Sequence, residues 1–272
     1  MRPSLLVSND DGIHSEGLHA LAEALRPLGD VTIVAPDREK SAAGHALTLH
    51  RPVAVREISE GVFTVDGTPA DCVYLGALSV LERKPDLLVA GVNRGGTIGD
   101  DVTYSGTVAA ALEGTILGIP SFAVSQLREK GVQRGGHGPP EFDWGNAARI
   151  SALVAQRVLD DPLPEDVLLN VNVPAGAIEG IRCTRQGKHL YEQVVHEASD
   201  PRGNRYYWVG SGEAAQIEQS EDTDYMTVRR GMVSITPLHL DLTHKHYLER
   251  LRGDWEQSLE KQFCEGSEAG RR

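Results

Sequence analysis

Two adjacent carboxylates, Asp10 and Asp11, stand with Gly12 at the end of a short apolar run, Leu5-Leu6-Val7. An apolar run of this length reads as a buried strand. In open α/β sheets, ligands bind in the crevice outside the carboxyl ends of the strands. Successive strand side chains point to opposite faces, so the two aspartates share a site only if the chain turns there, which Gly12 permits. Two carboxylates about 4 Å apart repel by about 4 kcal/mol at an effective dielectric of about 20. A shared proton, a basic side chain or a cation must offset this. Arg2 lies at the wrong end of the strand, which favours a divalent cation. Taken alone, Asp-Asp-Gly reads first as a solvated turn with an aspartate helix cap, so the rest of the chain must decide.

Two further polar clusters follow strand-like runs. Ser41 lies in the loop after Val31-Thr32-Ile33-Val34-Ala35, and Asn93 with Gly95 and Gly96 follows Leu87-Leu88-Val89-Ala90. If the strands are parallel, all three clusters lie at one sheet edge. Asp10, Asp11, Ser41 and Asn93 then form an oxygen-only donor set, which selects Mg²⁺, Mn²⁺ or Ca²⁺ over zinc. Such an ion polarises a phosphoryl oxygen and acidifies water. Ser105-Gly106-Thr107 opens a helix whose N–H groups and dipole favour an anion, and Gly95 and Gly96 allow close backbone approach. Asn93, Gly95, Gly96, Ser105, Gly106 and Thr107 are therefore the expected phosphate-binding residues. The plainer alternatives are a helix cap at Ser105 and an ordinary turn at the glycines.

The elements that must hold these groups alternate. Helical spacing through Leu18, Leu21, Ala22 and Leu25, with Ser15 as cap, completes a βαβ unit over residues 4–35. Residues 45–65 read as extended (Leu47–Leu49, Val53–Val55, Val62–Val65). Thr68 caps a helix with Pro69 at its first position, running to about Arg83. A helix over Val108–Leu117, a strand at Phe122–Val124, a helix over 145–160 and a strand over Val167–Val173 follow. The pattern predicts an α/β fold with a largely parallel sheet and helices on both faces. Residues 127–142 read as a surface loop. The expected organisation is a core over 1–180, a β-rich oligomerisation arm with a charged amphipathic C-terminal helix over 181–262, and a disordered tail over 263–272.

The net charge of −12 argues against a nucleic-acid backbone binder. Three cysteines, Cys72, Cys183 and Cys264, without Cys-x-x-Cys spacing fit a reducing compartment. No charged-then-apolar leader and no membrane-length apolar run is present, so a cytoplasmic protein without membrane attachment is expected. No Gly-x-Gly-x-x-Gly or Walker lysine motif occurs, which disfavours dehydrogenase and kinase readings.

Five ordered motifs resemble the SurE family of 5′/3′-nucleotidases. They are Ser8-Asn9-Asp10-Asp11-Gly12; Ala35-Pro36-Asp37-Arg38 with Ser41; Gly67-Thr68-Pro69-Ala70-Asp71-Cys72-Val73; Gly91-Val92-Asn93-Arg94-Gly95 through Gly99-Asp100-Asp101 to Tyr104-Ser105-Gly106-Thr107; and Val233-Ser234-Ile235-Thr236-Pro237-Leu238 with Asp241. The resemblance spans residues 4–243. It implies a Rossmann-like three-layer α/β/α core and hydrolysis of nucleoside 5′- and 3′-monophosphates, with short polyphosphate as a further substrate. It also implies one divalent metal ion per subunit on Asp10, Asp11, Ser41 and Asn93, and a homodimer or homotetramer built through a swapped C-terminal arm.

The expected chemistry is phosphomonoester hydrolysis with Asp10 and Asp11 as catalytic residues, one of them accepting the water's proton, and with Ser105 and Thr107 on the equatorial oxygens. An aspartyl-phosphate is disfavoured because the aspartates after the first strand are adjacent and lack the Asp-x-Asp arrangement of that chemistry. The rival readings are a calcium-dependent nucleoside ribohydrolase and a non-catalytic nucleotide sensor. His45 and His239 face either the site or solvent. His244 and His246 read as a solvated pair, Asp100 and Asp101 as outer-shell residues or a cap, and Arg94 as a phosphate contact or a loop cover.

Overall fold

The computed structural model describes residues 1–128, 142, 144–191, 195–209 and 214–269. The chain divides into two units, Met1–Leu238 and His239–Arg272.

In the first unit the elements run β1 (Ser4–Ser8), α1 (Glu16–Leu25), β2 (Asp30–Pro36), β3 (Val55–Ser59), β4 (Val62–Val65), α2 (Pro69–Leu75), β5 (Leu87–Arg94), α3 (Gly106–Ile116), β6 (Ser121–Gln126), α4 (Trp144–Asp160), β7 (Val167–Val173) and β8 (Gly180–Cys183). Two antiparallel ribbons follow, made from β9 (His189–Tyr191) with β12 (Ala214–Ile217) and from β10 (Val195–Ser199) with β11 (Arg205–Val209). Then come α5 (Asp224–Arg229) and β13 (Met232–His239).

One nine-stranded sheet has the order β3-β4-β2-β1-β5-β6-β7-β13-β8. From β4 to β7 every neighbouring pair is parallel. Side-chain alternation divides the core in two. Leu5, Val7, Leu87 and Val89 pack with Leu18, Leu21 and Leu25 of α1 and Ile150 and Val154 of α4. Leu6, Leu88 and Ala90 pack on the other face with Cys72 and Val73 of α2 and Val108 and Ala111 of α3. This is the three-layer α/β/α arrangement expected from the sequence. Each fully buried leucine contributes about 2 kcal/mol of apolar burial. The chain passes from β1 through α1 to β2 on one side, and β5 lies on the other, so the sheet's topological switch point falls between β1 and β5.

Several elements differ from the sequence reading. Leu47–Leu49 and Val53–Ala54 are not strands. The Thr48 N–H and hydroxyl donate to Asp71 at 2.9 and 2.6 Å, drawing this segment onto α2 as a loop. The helix expected to run to Arg83 ends at Leu75 and continues as a π-turn over Gly76–Val80. A Cβ at Gly76 would lie 3.1 Å from Leu6 and 3.2 Å from Val34, so the helix meets the sheet there. Ser15 occupies the N-cap position of α1 without a side-chain capping bond. The sheet does not stop at residue 180, because β8 and β13 extend it, and α5 is a helix where none was expected. In the second unit α6 spans Lys245–Ala269, so the described part of the expected tail is helical, while 270–272 lie outside the described residues. Most of the expected 127–142 loop, 129–141, also lies outside them.

Asp71 carries a large share of the α2 corner. It accepts from Thr48 and from the Thr68 N–H, while the Thr68 hydroxyl caps the Asp71 N–H. Burial alone would raise its pKa, but these bonds outweigh burial and hold the carboxyl below its ordinary 3.8. A depressed carboxylate pKa contributes stability above the unfolded value and loses it as pH falls through the folded one. Asp71→Ala is expected to cost on the order of 2 kcal/mol in urea denaturation at neutral pH. The gap between variant and wild type should narrow below pH 3.8. A gap that stays constant through acid would contradict this role for the carboxylate.

Candidate active site

The turn after β1 is made by Asn9, which is wholly buried. Its side chain accepts from the Gly12 N–H at 3.2 Å and donates to the Gly12 carbonyl at 3.1 Å. Gly12 sits at φ +94°, and a Cβ there would lie 2.9 Å from the Arg38 carbonyl carbon. The Lys40 N–H reaches the Asp10 carbonyl at 2.7 Å, so the loops after β1 and β2 are joined. The turn keeps both aspartates at the carboxyl edge.

Asp10 is 3 % exposed. Its Oδ1 accepts from the Thr107 hydroxyl at 2.5 Å. Burial raises its pKa, against the opposing effect of the Thr107 hydroxyl and the Thr107 and Gly106 N–H groups. Asp11 accepts from the Arg94 N–H at 3.2 Å. Burial and then the charge of Asp10 push its carboxyl up to about 6, with Arg94 opposing.

At the start of α3 the structure shows the helix cap at Ser105 and turns Gly106 and Thr107 towards Asp10. Ser105 caps the helix by accepting from the Val108 N–H at 3.2 Å. Thr107 is fully buried and its hydroxyl is spent on Asp10. Gly106 packs against the same carboxylate: a Cβ there would lie 2.7 Å from the Asp10 Cβ and 2.9 Å from its Oδ2. The N-terminus of α3 thus holds Asp10, in place of a direct Gly106 or Thr107 contact with an anion. Gly106→Ala is expected to displace Asp10 and lower kcat on the order of a hundredfold, with little change in the circular dichroism spectrum. Near-normal turnover would show that Asp10 tolerates the shift.

At the end of β5, between the Ala90–Ala123 and Asn93–Ser125 pairs, Gly91 and Val92 oppose the single Val124 of β6, a β-bulge of the kind that re-aims a side chain beside a site. Gly91 sits there at φ +142°, and a Cβ would lie 2.4 Å from the Val124 carbonyl oxygen. The Asn93 amide donates to the Gly95 carbonyl at 2.9 Å. The Gly95 N–H is taken by the Gln126 carbonyl at 2.9 Å, so it does not point at an anion. Gly95 nonetheless keeps the surface open, since a Cβ there would meet nothing within 4 Å. Gly96 packs on Ile98 and Leu127.

The loop beyond is anchored by residues not singled out in the sequence. Asn172 accepts from the Thr97 N–H at 2.8 Å, and Asn170 and Asn172 both donate to the Thr97 carbonyl. The buried Asp224 accepts from the Gly99 and Gly187 N–H groups at 2.8 and 2.9 Å. The available signal was two asparagines in an otherwise apolar strand, where a buried amide must find partners.

Ser41 donates to Glu39 at 2.8 Å, and Ala42 beside it has φ +58°. His45 pairs with the buried Glu113 of α3 at 2.7 Å. In the second unit, His239 accepts the Asp241 N–H and His244 accepts the Tyr247 N–H at the start of α6.

Asp10, Ser41, Asn93 and Ser105 line one open cavity of about 190 Å³, together with Ala42, Arg94, Thr97, Asp101 and Tyr104. Asp11 lies next to it through Arg94. The description of the family model "Survival protein SurE" matches residues 5–193. The chain belongs to the SurE family. Curated relatives named 5′-nucleotidase SurE include one from Pelobacter propionicus, 54 % identical over 88 % of this chain and 94 % of its own length. Another, from Geobacter sulfurreducens, is 52 % identical over 94 % of both. The solved SurE structure from Aquifex aeolicus has a TM-score of 0.79 and 44 % identity, covering 92 % of this chain and 98 % of its own.

Among the described residues, no three His, Cys, Asp or Glu side chains gather into a metal site. The donor set expected from the sequence is of another kind: two carboxylates, a hydroxyl and an amide oxygen. Two carboxylates held at raised pKa by burial, with the charge of Asp10 adding to the effect at Asp11, fit a hard divalent cation, which would supply the missing opposite charge.

Proposed function

We propose that this SurE-family enzyme is a metal-dependent phosphomonoesterase. It hydrolyses nucleoside 5′- and 3′-monophosphates to nucleoside and phosphate and also cleaves short polyphosphate. The observation that carries the reading is the meeting of Asp10, Ser41, Asn93 and Ser105 at one cavity beside the topological switch point. Asp10, Asp11, Ser41 and Asn93 would hold one Mg²⁺, Mn²⁺ or Ca²⁺ ion. That ion supplies a positive charge that polarises a phosphoryl oxygen and lowers the pKa of water.

The chain's own groups do the rest. Thr107 and the N-terminus of α3 fix the rotamer of Asp10. One of the two aspartates accepts the proton of the attacking water. The Ser105 hydroxyl, the Asn93 amide and the Arg94 guanidinium bind phosphoryl oxygens as charge redistributes. The water oxygen bonds to phosphorus, the bond from phosphorus to the ribose oxygen breaks, and the proton taken from the water is returned to that oxygen as it leaves.

The exposed Tyr206, Tyr207 and Trp208 of β11 suit a contact with a second copy of the chain, in a homodimer or homotetramer. Cys72 and Cys183 are free thiols, in keeping with a cytoplasmic protein. No helix among the described residues is long and apolar enough to cross a membrane.

The test is product analysis with a nucleoside monophosphate panel and supplied divalent metal. Inorganic phosphate and intact nucleoside are the expected products. Free base would return the ribohydrolase reading, and binding without turnover the sensor reading.

A further inference from the structure

A second cavity, of about 460 Å³, lies at the same sheet edge. Its walls include Ile98, Leu127, Pro174 and Val228, with Tyr225 and Arg229 of α5. Leu127 directly follows β6 and Pro174 directly follows β7, so this cavity opens at the carboxyl ends of the strands two and three places from β1.

The two cavities share a wall. Thr97 lines the first and Ile98 the second. The wall is rigid where they join. Asn170 and Asn172 of β7 clamp Thr97, and Asp224 clamps Gly99. Asp224 is also the residue before Tyr225, so the backbone of α5 is tied to the same loop that carries Asn93.

We propose that this second cavity binds the nucleobase of the substrate, an inference that rests on the nucleotidase reading above. Its lining suits a flat heteroaromatic ring: aliphatic walls for its faces, an aromatic ring and a guanidinium for stacking. Neighbouring strands are about 4.8 Å apart, so moving from the β1–β5 crevice to the β6–β7 crevice is a shift of about 10 Å. A ribose bridges such a gap with its phosphate in the first cavity and its base in the second. The clamped loop fixes that spacing before substrate arrives, which lowers the ordering cost of binding.

The experiment compares kcat/KM for adenosine 5′-monophosphate with that for ribose 5-phosphate, which lacks the base, in wild type, Tyr225→Ala and Arg229→Ala. Wild type is expected to prefer the nucleotide. In each variant that preference should fall about tenfold, through KM for the nucleotide, and the inhibition constant of adenosine should rise in parallel. If both substrates decline together, or the preference persists in both variants, the proposal is overturned. Arg229 is exposed, so its variant tests the idea without disturbing the core. A wild-type enzyme that cleaves ribose 5-phosphate as well as the nucleotide overturns the base pocket and leaves the phosphatase reading standing. A wild type that cleaves neither overturns both.

Discussion

Asp10→Asn is expected to lower phosphate release by roughly a thousandfold or more, while the melting temperature holds or rises. Both halves follow from one environment. The carboxylate is 3 % exposed and its pKa is raised by burial, so its charge is carried at a cost to the fold. Asparagine keeps the shape, and its carbonyl oxygen still accepts the Thr107 hydroxyl. It removes the buried charge and its repulsion with Asp11, and with them the anionic donor that a divalent cation needs. The site is thus a place where stability is given up for chemistry. Steady-state phosphate release and a thermal melt on the same preparation check this. Wild-type turnover by the variant would falsify the assignment of Asp10. Lost turnover with a collapsed fold would show that the charge is structural.

Removing divalent cations with a chelator is expected to abolish turnover, and Mg²⁺, Mn²⁺ or Ca²⁺ to restore it. The accompanying stabilisation should depend on pH in a stated direction. The Asp11 carboxyl is raised to about 6 by burial and by Asp10. A carboxyl raised in the folded state favours folding at low pH and loses that contribution as pH climbs from the unfolded 3.8 through about 6. Protons compete with the cation in the same range. Added Mn²⁺ should therefore raise the melting temperature little at pH 5 and clearly at pH 8. Full activity after exhaustive chelation, or equal stabilisation at both pH values, would count against a cation held by this pair.

Much of this site is legible in the chain because each donor follows its own apolar run. Parallel strands put the ends of those runs at one edge, which is why the sequence alone gathers Asp10, Ser41 and Asn93. What could not be read is direction within the edge. Ser105-Gly106-Thr107 has the residue types of an anion cradle, but Gly106 and Thr107 are turned to the carboxylate of Asp10. Spacing along the sequence does not reveal that a hydroxyl 97 positions later turns inward. The same limit applies to Gly95, whose amide is committed to a neighbouring strand by the register of β6. The far edge of the sheet was hidden for a different reason. β8 and β13 enter it out of sequence order, so nothing local in the sequence shows where they pair. Thr48 and Asp71 illustrate the converse, a β-like pattern overridden by a single buried carboxylate that claims the backbone donor.

The bond from the Gly99 amide to Asp224 joins positions 125 residues apart. During synthesis, the ribosome releases Asp10, Ser41, Asn93 and Ser105 long before it releases Asp224. The nascent polypeptide can close most of its sheet early, but the rim that separates the two cavities gains its buried acceptor only when the last quarter of the message has been translated. The rim between the two cavities therefore closes late, and a product terminated before Asp224 would carry every proposed metal donor on a rim that lacks this clamp.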